Sequence, residues 1–277
     1  MDFTSADGEQ RYADLVAHAE SVIVGLDFDG TLAPIVDDPG SAHIHPEAPE
    51  VLTDLAEVVR AVAVVTGRPA RQALALGGLD EVGDAIGGRG RELYLFGQYG
   101  NERWTSTNRR VITPRPPAGL ATFERELPRV LRGADAAEAF VEDKGLAVAV
   151  HTRRLDDPDG AFERLVKPIG DLAERHGLTV EPGRQVLEVR SHGMHKGLVV
   201  EYLAEHLEAG GFLFAGDDLG DLEAFEAVLD LRSRGLSTLL VCSASREQSA
   251  LRDLADVVVA GPDGVLDLLR QLTRDAA

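Results

Sequence analysis

Ser21-Val22-Ile23-Val24-Gly25-Leu26-Asp27-Phe28-Asp29-Gly30-Thr31-Leu32 is the stretch from which the rest of the chain is read. Residues 21–26 carry no charge and are mostly aliphatic, which predicts a strand buried on both faces. Two carboxylates, Asp27 and Asp29, follow at its C-terminal end. Open α/β sheets bind ligands at that edge. Two acids so close repel each other unless a cation joins them, and oxygen donors of this kind suit Mg²⁺. The plain alternative is an acidic turn, since Asp-Gly is a common turn pair.

The flanking sequence extends the same logic. Residues 47–60 predict a helix, with Val51, Leu55, Val58 and Val59 at helical spacing. Residues 61–65 predict a second buried strand, and 211–215, 237–241 and 256–259 predict three more, with helical segments between them. Such alternation predicts a doubly wound α/β fold, a parallel sheet with helices on both faces. The middle of the chain differs. After the break Thr113-Pro114-Arg115-Pro116-Pro117 come a helix (120–131), two strands (139–144 and 146–153) parted by Gly145, a helix (161–176), and strands near 179–181 and 185–190. Hairpins with helices predict a smaller α+β domain inserted into the core. The expected division is core 1–114, cap 115–191 and core 192–277. About 15 leading residues are expected to be poorly ordered or loosely helical.

The chain has 277 residues with 47 Asp and Glu against 28 Lys and Arg, a formal net charge of −19. That sign argues against nucleic acid as a partner. An anionic substrate would need local positive charge or a metal. No apolar run approaches the roughly 20 residues of a membrane span, so no membrane is expected. Met1-Asp2-Phe3-Thr4-Ser5 lacks a basic segment followed by an apolar one, so no signal peptide is expected. The single cysteine, Cys242, rules out an intramolecular disulfide, and a cytoplasmic location is expected. Within Leu239-Leu240-Val241-Cys242 it reads as a buried small hydrophobe.

Three further motifs stand at predicted strand ends or helix starts. Ala215-Gly216-Asp217-Asp218-Leu219-Gly220-Asp221 crowds three acids onto one strand end. Helix capping explains one carboxylate, and a metal site would explain more. In Val64-Val65-Thr66-Gly67-Arg68, a hydroxyl and backbone N–H groups at a strand-to-helix turn can hold a phosphoryl group; Thr66 as a simple N-cap is the alternative. Lys196, in His195-Lys196-Gly197, opens a helix, where a cation is unfavourable without an anionic partner. A solvated lysine is the alternative.

The insertion also shows a pattern. Glu142 and Lys144 share one face of a strand, as do Val148 and Val150, while Ala147, Ala149, His151 and Arg153 share the opposite face of theirs. Leu187 and Val189 oppose Glu188 and Arg190. The expected sheet has one apolar face under helices and one face of mixed charge. Such a face suits cross-strand ion pairs in solvent or recognition of a polyhydroxyl ligand, with carboxylates accepting and Lys or Arg donating.

The four motifs, in this order, resemble the haloacid dehalogenase (HAD) superfamily of phosphotransferases. The resemblance implies a Rossmann-like core with an α+β cap of C2 type between motifs two and three. Val141-Glu142-Asp143-Lys144-Gly145, His151-Thr152-Arg153, Gly183-Arg184-Gln185-Val186-Leu187-Glu188-Val189-Arg190 and Gly97-Gln98-Tyr99-Gly100-Asn101-Glu102 are similar to the pattern of trehalose-6-phosphate phosphatases. By that resemblance Asp27 is the nucleophile and Asp29 the acid and base. Thr66 and Lys196 hold the phosphoryl group, and Gly67 and Arg68 join the substrate site, Arg68 also admitting a structural role. Mg²⁺ is implied on Asp27, the Asp29 backbone carbonyl and Asp217, with Asp218 in the metal set. Asp218 and Asp221 would orient the metal's waters or Lys196. Glu142, Lys144, Arg153 and Glu188 would grip the distal sugar. The implied activity is hydrolysis of trehalose 6-phosphate, with a trehalose-6-phosphate synthase in the same pathway. Sucrose phosphate, mannosylglycerate phosphate or a hexose phosphate are alternative substrates, and a non-catalytic sugar-phosphate sensor is an alternative class. The chain departs from the pattern at Thr66, usually Ser, and at Gly220 and Leu222, usually Thr and Glu.

Overall fold

The computed structural model describes residues 2–36, 38–183, 185–244 and 250–277. Arg184, within the quoted cap pattern, lies outside the described residues. In chain order the elements are β1 (Asp2–Phe3), α1 (Ala6–Ala17), β2 (Val22–Leu26), α2 (Ala48–Val58), β3 (Ala61–Val65), α3 (Ala70–Gly77), α4 (Leu79–Gly87), β4 (Leu93–Gly97) and β5 (Glu102–Thr105). Next come α5 (Leu120–Gly133), β6 (Phe140–Asp143), β7 (Val148–His151), α6 (Pro158–Arg175), β8 (Leu178–Gly183) and β9 (Val186–Ser191). The chain ends with α7 (Lys196–His206), β10 (Gly211–Gly216), α8 (Leu222–Ser233), β11 (Ser237–Ser243), α9 (Ala250–Leu254), β12 (Val257–Val259) and α10 (Gly261–Ala276).

Eight strands form one sheet in the order β1-β12-β11-β10-β2-β3-β4-β5. The six inner strands pair in parallel, while β1 and β5 close the two edges antiparallel. Every residue of β2, β3 and β10 is buried, as strands covered on both faces require. Alternate residues feed two separate cores. Val22, Val24 and Leu26 pack with Leu52 and Leu55 of α2 and Leu268 and Leu269 of α10. Ile23 packs with Val200 and Leu203 of α7 and Phe225 of α8 on the other side. Each such Leu, Ile or Phe contributes about 1.5–3 kcal/mol by burial. From β2 the chain moves to β3 on one side and later returns as β10 on the other. The order of strands therefore reverses at β2, and the carboxyl ends of β2 and β10 stand where such sheets bind ligands.

Residues 114–194 form the second compact unit, and Met1–Thr113 with His195–Ala277 form the first. The second unit's strands are all antiparallel, in the order β6-β7-β9-β8. Val148, Val150, Leu187 and Val189 pack against Phe123 and Leu127 of α5 and Leu165, Ile169 and Leu172 of α6. The apolar alternation in these strands thus marks the helix-covered face.

The N-terminal stretch differs from its expectation. Ser5 caps α1 by accepting from Gly8 N at 3.1 Å, and β1 pairs with β12. Thr4 N donates to Asp256 O, and Arg11 reaches Asp256 Oδ1 at 2.6 Å. The segment is tied down by partners roughly 250 residues away, which no local pattern announces. Among the described residues no helix is long and apolar enough to cross a membrane.

Candidate active site

Asp27 directly follows β2. Its N–H donates to Ala215 O at 2.9 Å, so the ladder with β10 continues through it. Asp27 is 5% exposed. The chain then turns sharply, with Leu32 N and Ala33 N both donating to Phe28 O. Gly30 makes the turn at φ 71°, and a β-carbon there would collide with the Asp217 carboxylate. Glycine is required on both counts. Ser243, at the end of β11, donates from Oγ to Gly30 O at 2.6 Å and pins the turn.

Lys196 is the first residue of α7 and is 3% exposed. Its Nζ donates to Asp27 Oδ1 at 2.5 Å and to Asp221 Oδ1 at 2.6 Å. These carboxylates offset the unfavourable helix dipole at that end. Burial works against the ammonium, but Asp221 and Asp27 outweigh it and hold the lysine pKa well above its ordinary value. Asp221 is fully buried and also accepts from Asp217 N at 3.1 Å.

Carboxylate oxygens of Asp27, Asp217 and Asp221 lie within 4.8 Å of one another. Burial raises the pKa of Asp27 well above the ordinary carboxylate range, with Lys196 opposing and Asp221 and Asp217 adding to the rise. Burial, with Asp218 and Asp221, pushes Asp217 up to about 8. Burial pushes Asp221 up to about 6 against the pull of Lys196. One ammonium thus faces three crowded acids. An all-oxygen, acid-rich donor set of this kind fits a hard divalent cation such as Mg²⁺.

Asp218, expected in the metal set, stands outside this buried group. It is exposed, and its Oδ1 accepts from Gly220 N at 2.8 Å, capping the short turn Leu219–Asp221. Asp221, at the far end of the same turn, is the buried one. At Gly220, where the family pattern has Thr, the backbone N–H serves this cap.

Asp29 is held differently. Arg68 Nε and Nη2 donate to its two oxygens at 2.7 and 2.6 Å. Arg68 Nη1 donates to Pro39 O at 2.8 Å, and the guanidinium lies over the Phe28 ring. Arg68, expected at the substrate, therefore grips Asp29 with a bidentate fork, the strongest geometry for such a pair. Thr66, 1% exposed at the end of β3, accepts from Arg68 N at 3.0 Å through Oγ1. Gly67 faces Tyr99, whose ring a β-carbon on Gly67 would meet at 2.8 Å.

The Gln98-Tyr99 segment carries strain that the motif did not reveal. Gln98 and Tyr99 have φ of 47° and 58°, a conformation costing about 1–3 kcal/mol per non-glycine residue. Gln98 N donates to Arg68 O and Tyr99 N to Thr66 O, at 2.8 and 3.0 Å. Glu102 Oε2 accepts from Ala70 N at 2.6 Å at the start of α3. The loop is thus clamped onto Thr66-Gly67-Arg68.

In the cap unit, Lys144 Nζ donates to Glu188 Oε2 at 2.5 Å, and His151 Nε2 meets Glu142 Oε2 at 2.9 Å. Arg190 pairs with Glu181 at 3.3 Å. Arg153 is not joined to this set: β7 ends at His151, and Arg153 lies exposed in the following turn. Thr152 N donates to Gln185 O, one last rung beyond His151 and Val186, before the chain turns at Arg153.

A family model described as trehalose-phosphatase matches residues 25–112 and 121–257. An uncharacterized glycosyl hydrolase of Mycobacterium tuberculosis is 34% identical over 238 residues, covering 81% of this chain but 17% of that protein. A probable trehalose-phosphate phosphatase G of Arabidopsis thaliana is 30% identical over 293 residues, covering 95% of this chain and 72% of that protein. The fold superposes on the C-terminal domain of Candida albicans trehalose-6-phosphate phosphatase with a TM-score of 0.78 at 18% identity, covering 99% and 98% of the two chains. The chain thus spans most of the plant relative and about a sixth of the mycobacterial one. A match across both parts of the core and the insertion between them places the chain in the trehalose-phosphatase family.

Proposed function

We propose that this chain hydrolyses trehalose 6-phosphate, with Mg²⁺, through a phosphoryl intermediate on Asp27. The observation that carries the reading is the buried Asp27 carboxylate, 2.5 Å from Lys196 and two residues from a second acid held by its own arginine.

In this reading an Asp27 oxygen attacks phosphorus, the bond from phosphorus to the sugar oxygen breaks, and the leaving oxygen takes a proton from Asp29. Asp29 then removes a proton from water as the water oxygen attacks the aspartyl phosphate. Phosphate leaves and Asp27 is restored. The Arg68 fork fixes where both oxygens of Asp29 point. Arg68 is therefore a positioning residue for Asp29. Thr66 Oγ1 and Lys196 Nζ, with the Gly67 backbone N–H, donate to the phosphoryl oxygens. Asp27, Asp217 and the Asp29 backbone carbonyl are the proposed holders of Mg²⁺, and Asp221 keeps Lys196 in place. When bound, that ion offsets negative charge on the phosphoryl oxygens.

The cap set supports the sugar part. Glu142, Lys144 and Glu188 offer acceptors and donors matched to hydroxyl groups, and Arg153, exposed in its turn, is a further candidate. A synthase making trehalose 6-phosphate is the proposed supplier of substrate. A buried single thiol suits the cytoplasm. The test is phosphate release from trehalose 6-phosphate, sucrose 6-phosphate, glucose 6-phosphate and p-nitrophenyl phosphate, each with Mg²⁺ and with chelator. Mg²⁺-dependent preference for trehalose 6-phosphate is expected. Equal turnover of all four would remove the sugar assignment and leave the chemistry. No release from any would favour a sugar-phosphate sensor.

A further inference from the structure

Within the first unit, apart from the residues above, lies a cleft of about 510 Å³. It is lined by Arg71 and Leu74 of α3, Asp80 of α4, Trp104 of β5, and Arg109 and Arg110 of the loop that follows. That volume falls in the range of small-molecule sites. Three guanidinium groups gather there in a chain whose formal net charge is −19.

Their pairing is uneven. Arg109, with φ 55°, is tied to α4: Nη2 lies 3.2 Å from Asp80 Oδ1, and Nη1 reaches Asp84. Asp80 is thereby paired, though it shares Arg109 with Asp84. The Arg71 and Arg110 side chains have no hydrogen-bond or ion-pair partner among the described residues. The wall beside them is apolar and fixed. Trp104 is 2% exposed, and it packs so tightly on α4 that a β-carbon on Gly83 would meet its ring at 3.0 Å. The cleft therefore joins two uncommitted guanidinium groups to a rigid apolar wall.

We propose that this cleft binds a small organic phosphate, its dianion on Arg71 and Arg110 and its apolar or flat body along Leu74 and Val111, beside the edge of Trp104. Guanidinium forks match phosphate oxygens in pairs, and the volume exceeds what a bare phosphate fills. The proposal does not rest on the phosphatase reading, because none of these residues has a part in that chemistry.

Trp104 is the chain's one tryptophan, so intrinsic fluorescence reports from the cleft itself. The probe is phenylphosphonate, whose carbon–phosphorus bond a phosphatase leaves intact. It is titrated at constant ionic strength and followed by tryptophan emission and calorimetry, with methylphosphonate as the anion lacking a body. The expected result is saturable binding of phenylphosphonate that shifts Trp104 emission. Methylphosphonate should bind about tenfold more weakly, and Arg71→Ala/Arg110→Ala should weaken phenylphosphonate by about tenfold or more, two charge-assisted contacts being lost. Turnover of p-nitrophenyl phosphate by the double variant should stay unchanged. Binding that survives in the double variant, or no saturable binding beyond any seen at Asp27, judged by its loss in Asp27→Asn, would overturn the proposal.

Discussion

The two units carry their charges in opposite ways. At the carboxyl ends of β2 and β10, Asp27, Asp217 and Asp221 are all buried around one ammonium, that of Lys196. On the cap sheet, Lys144 meets Glu188, His151 meets Glu142, and Arg190 meets Glu181, acid for base. A buried, unbalanced cluster is costly unless a further cation joins it. Acids and bases met in pairs on strands answer one another's hydrogen bonds. Unequal charge therefore points to chemistry in the core, whereas the cap pairs must exchange partners to hold a ligand and so suit selection between neutral hydroxylated groups.

The largest effect should come from Asp27→Asn. The substitution keeps size and removes the attacking oxygen, so phosphate release should fall by about three orders of magnitude or more. Far-UV circular dichroism should be unchanged. A variant keeping a tenth of wild-type turnover would break the nucleophile assignment. Glu188→Gln, the counterpart in the cap, should lower kcat/KM for trehalose 6-phosphate by about 10- to 100-fold, the scale of one lost charge-assisted contact with a sugar hydroxyl. It should leave p-nitrophenyl phosphate turnover near wild type. Equal loss on both substrates would show that the cap pairs act through folding.

Next is the arginine fork. Arg68→Ala frees Asp29 from its bidentate hold, and acid–base catalysis is worth about 10²–10⁴-fold. The kcat for an alkyl phosphate should fall by about 100-fold, while p-nitrophenyl phosphate, whose leaving group needs little protonation, should lose far less. Arg68→Lys should recover only part of the difference, because an ammonium cannot reproduce the fork. The same loss on both substrates would make Arg68 merely structural.

Metal addition separates the units by stability. Mg²⁺ at about 100 times its Kd should stabilise the chain by about 2.7 kcal/mol, read as a rise in Tm. Asp217→Ala should abolish that rise, and Glu188→Gln should preserve it. A rise that survives Asp217→Ala would move the metal site elsewhere.

The main strands were legible because burial on both faces leaves a continuous apolar run, as in Val22–Leu26 and Ala61–Val65. The helix-facing side of the cap sheet was legible because its period is two. The Asp27 and Lys196 motifs were legible because paired acids and a lysine at a helix start are locally unusual. Other features lack a local signature. Strand β4 and helices α3 and α4 escaped notice in a glycine-rich stretch whose helices have 8 and 9 residues. The Ser243 contact to Gly30 spans 213 positions. The choice of Asp221 over Asp218 depends on turn geometry, which three acids in seven residues do not disclose. Arg68 and Asp29 stand 39 positions apart, so only their strand ends, set side by side in the sheet, bring them together.

The smallest expected effect concerns the one thiol. Cys242 lies on β11 beside the acidic end of the sheet and is fully buried. Burial pushes its pKa up to about 11, with Arg252 opposing and Asp217 and Asp221 adding to the rise. The thiolate is the reactive form, so at pH 8 both access and ionisation disfavour attack. Iodoacetamide should leave Cys242 unmodified in the folded chain, read by intact mass, and label it fully in guanidinium chloride. Cys242→Ser should reduce phosphate release less than any substitution above, since the thiol touches no proposed reacting group. Rapid labelling of the folded chain at pH 8 would mean that β11 opens beside the acidic cluster, and the contrast between a tightly held core site and a self-paired cap would then need redrawing.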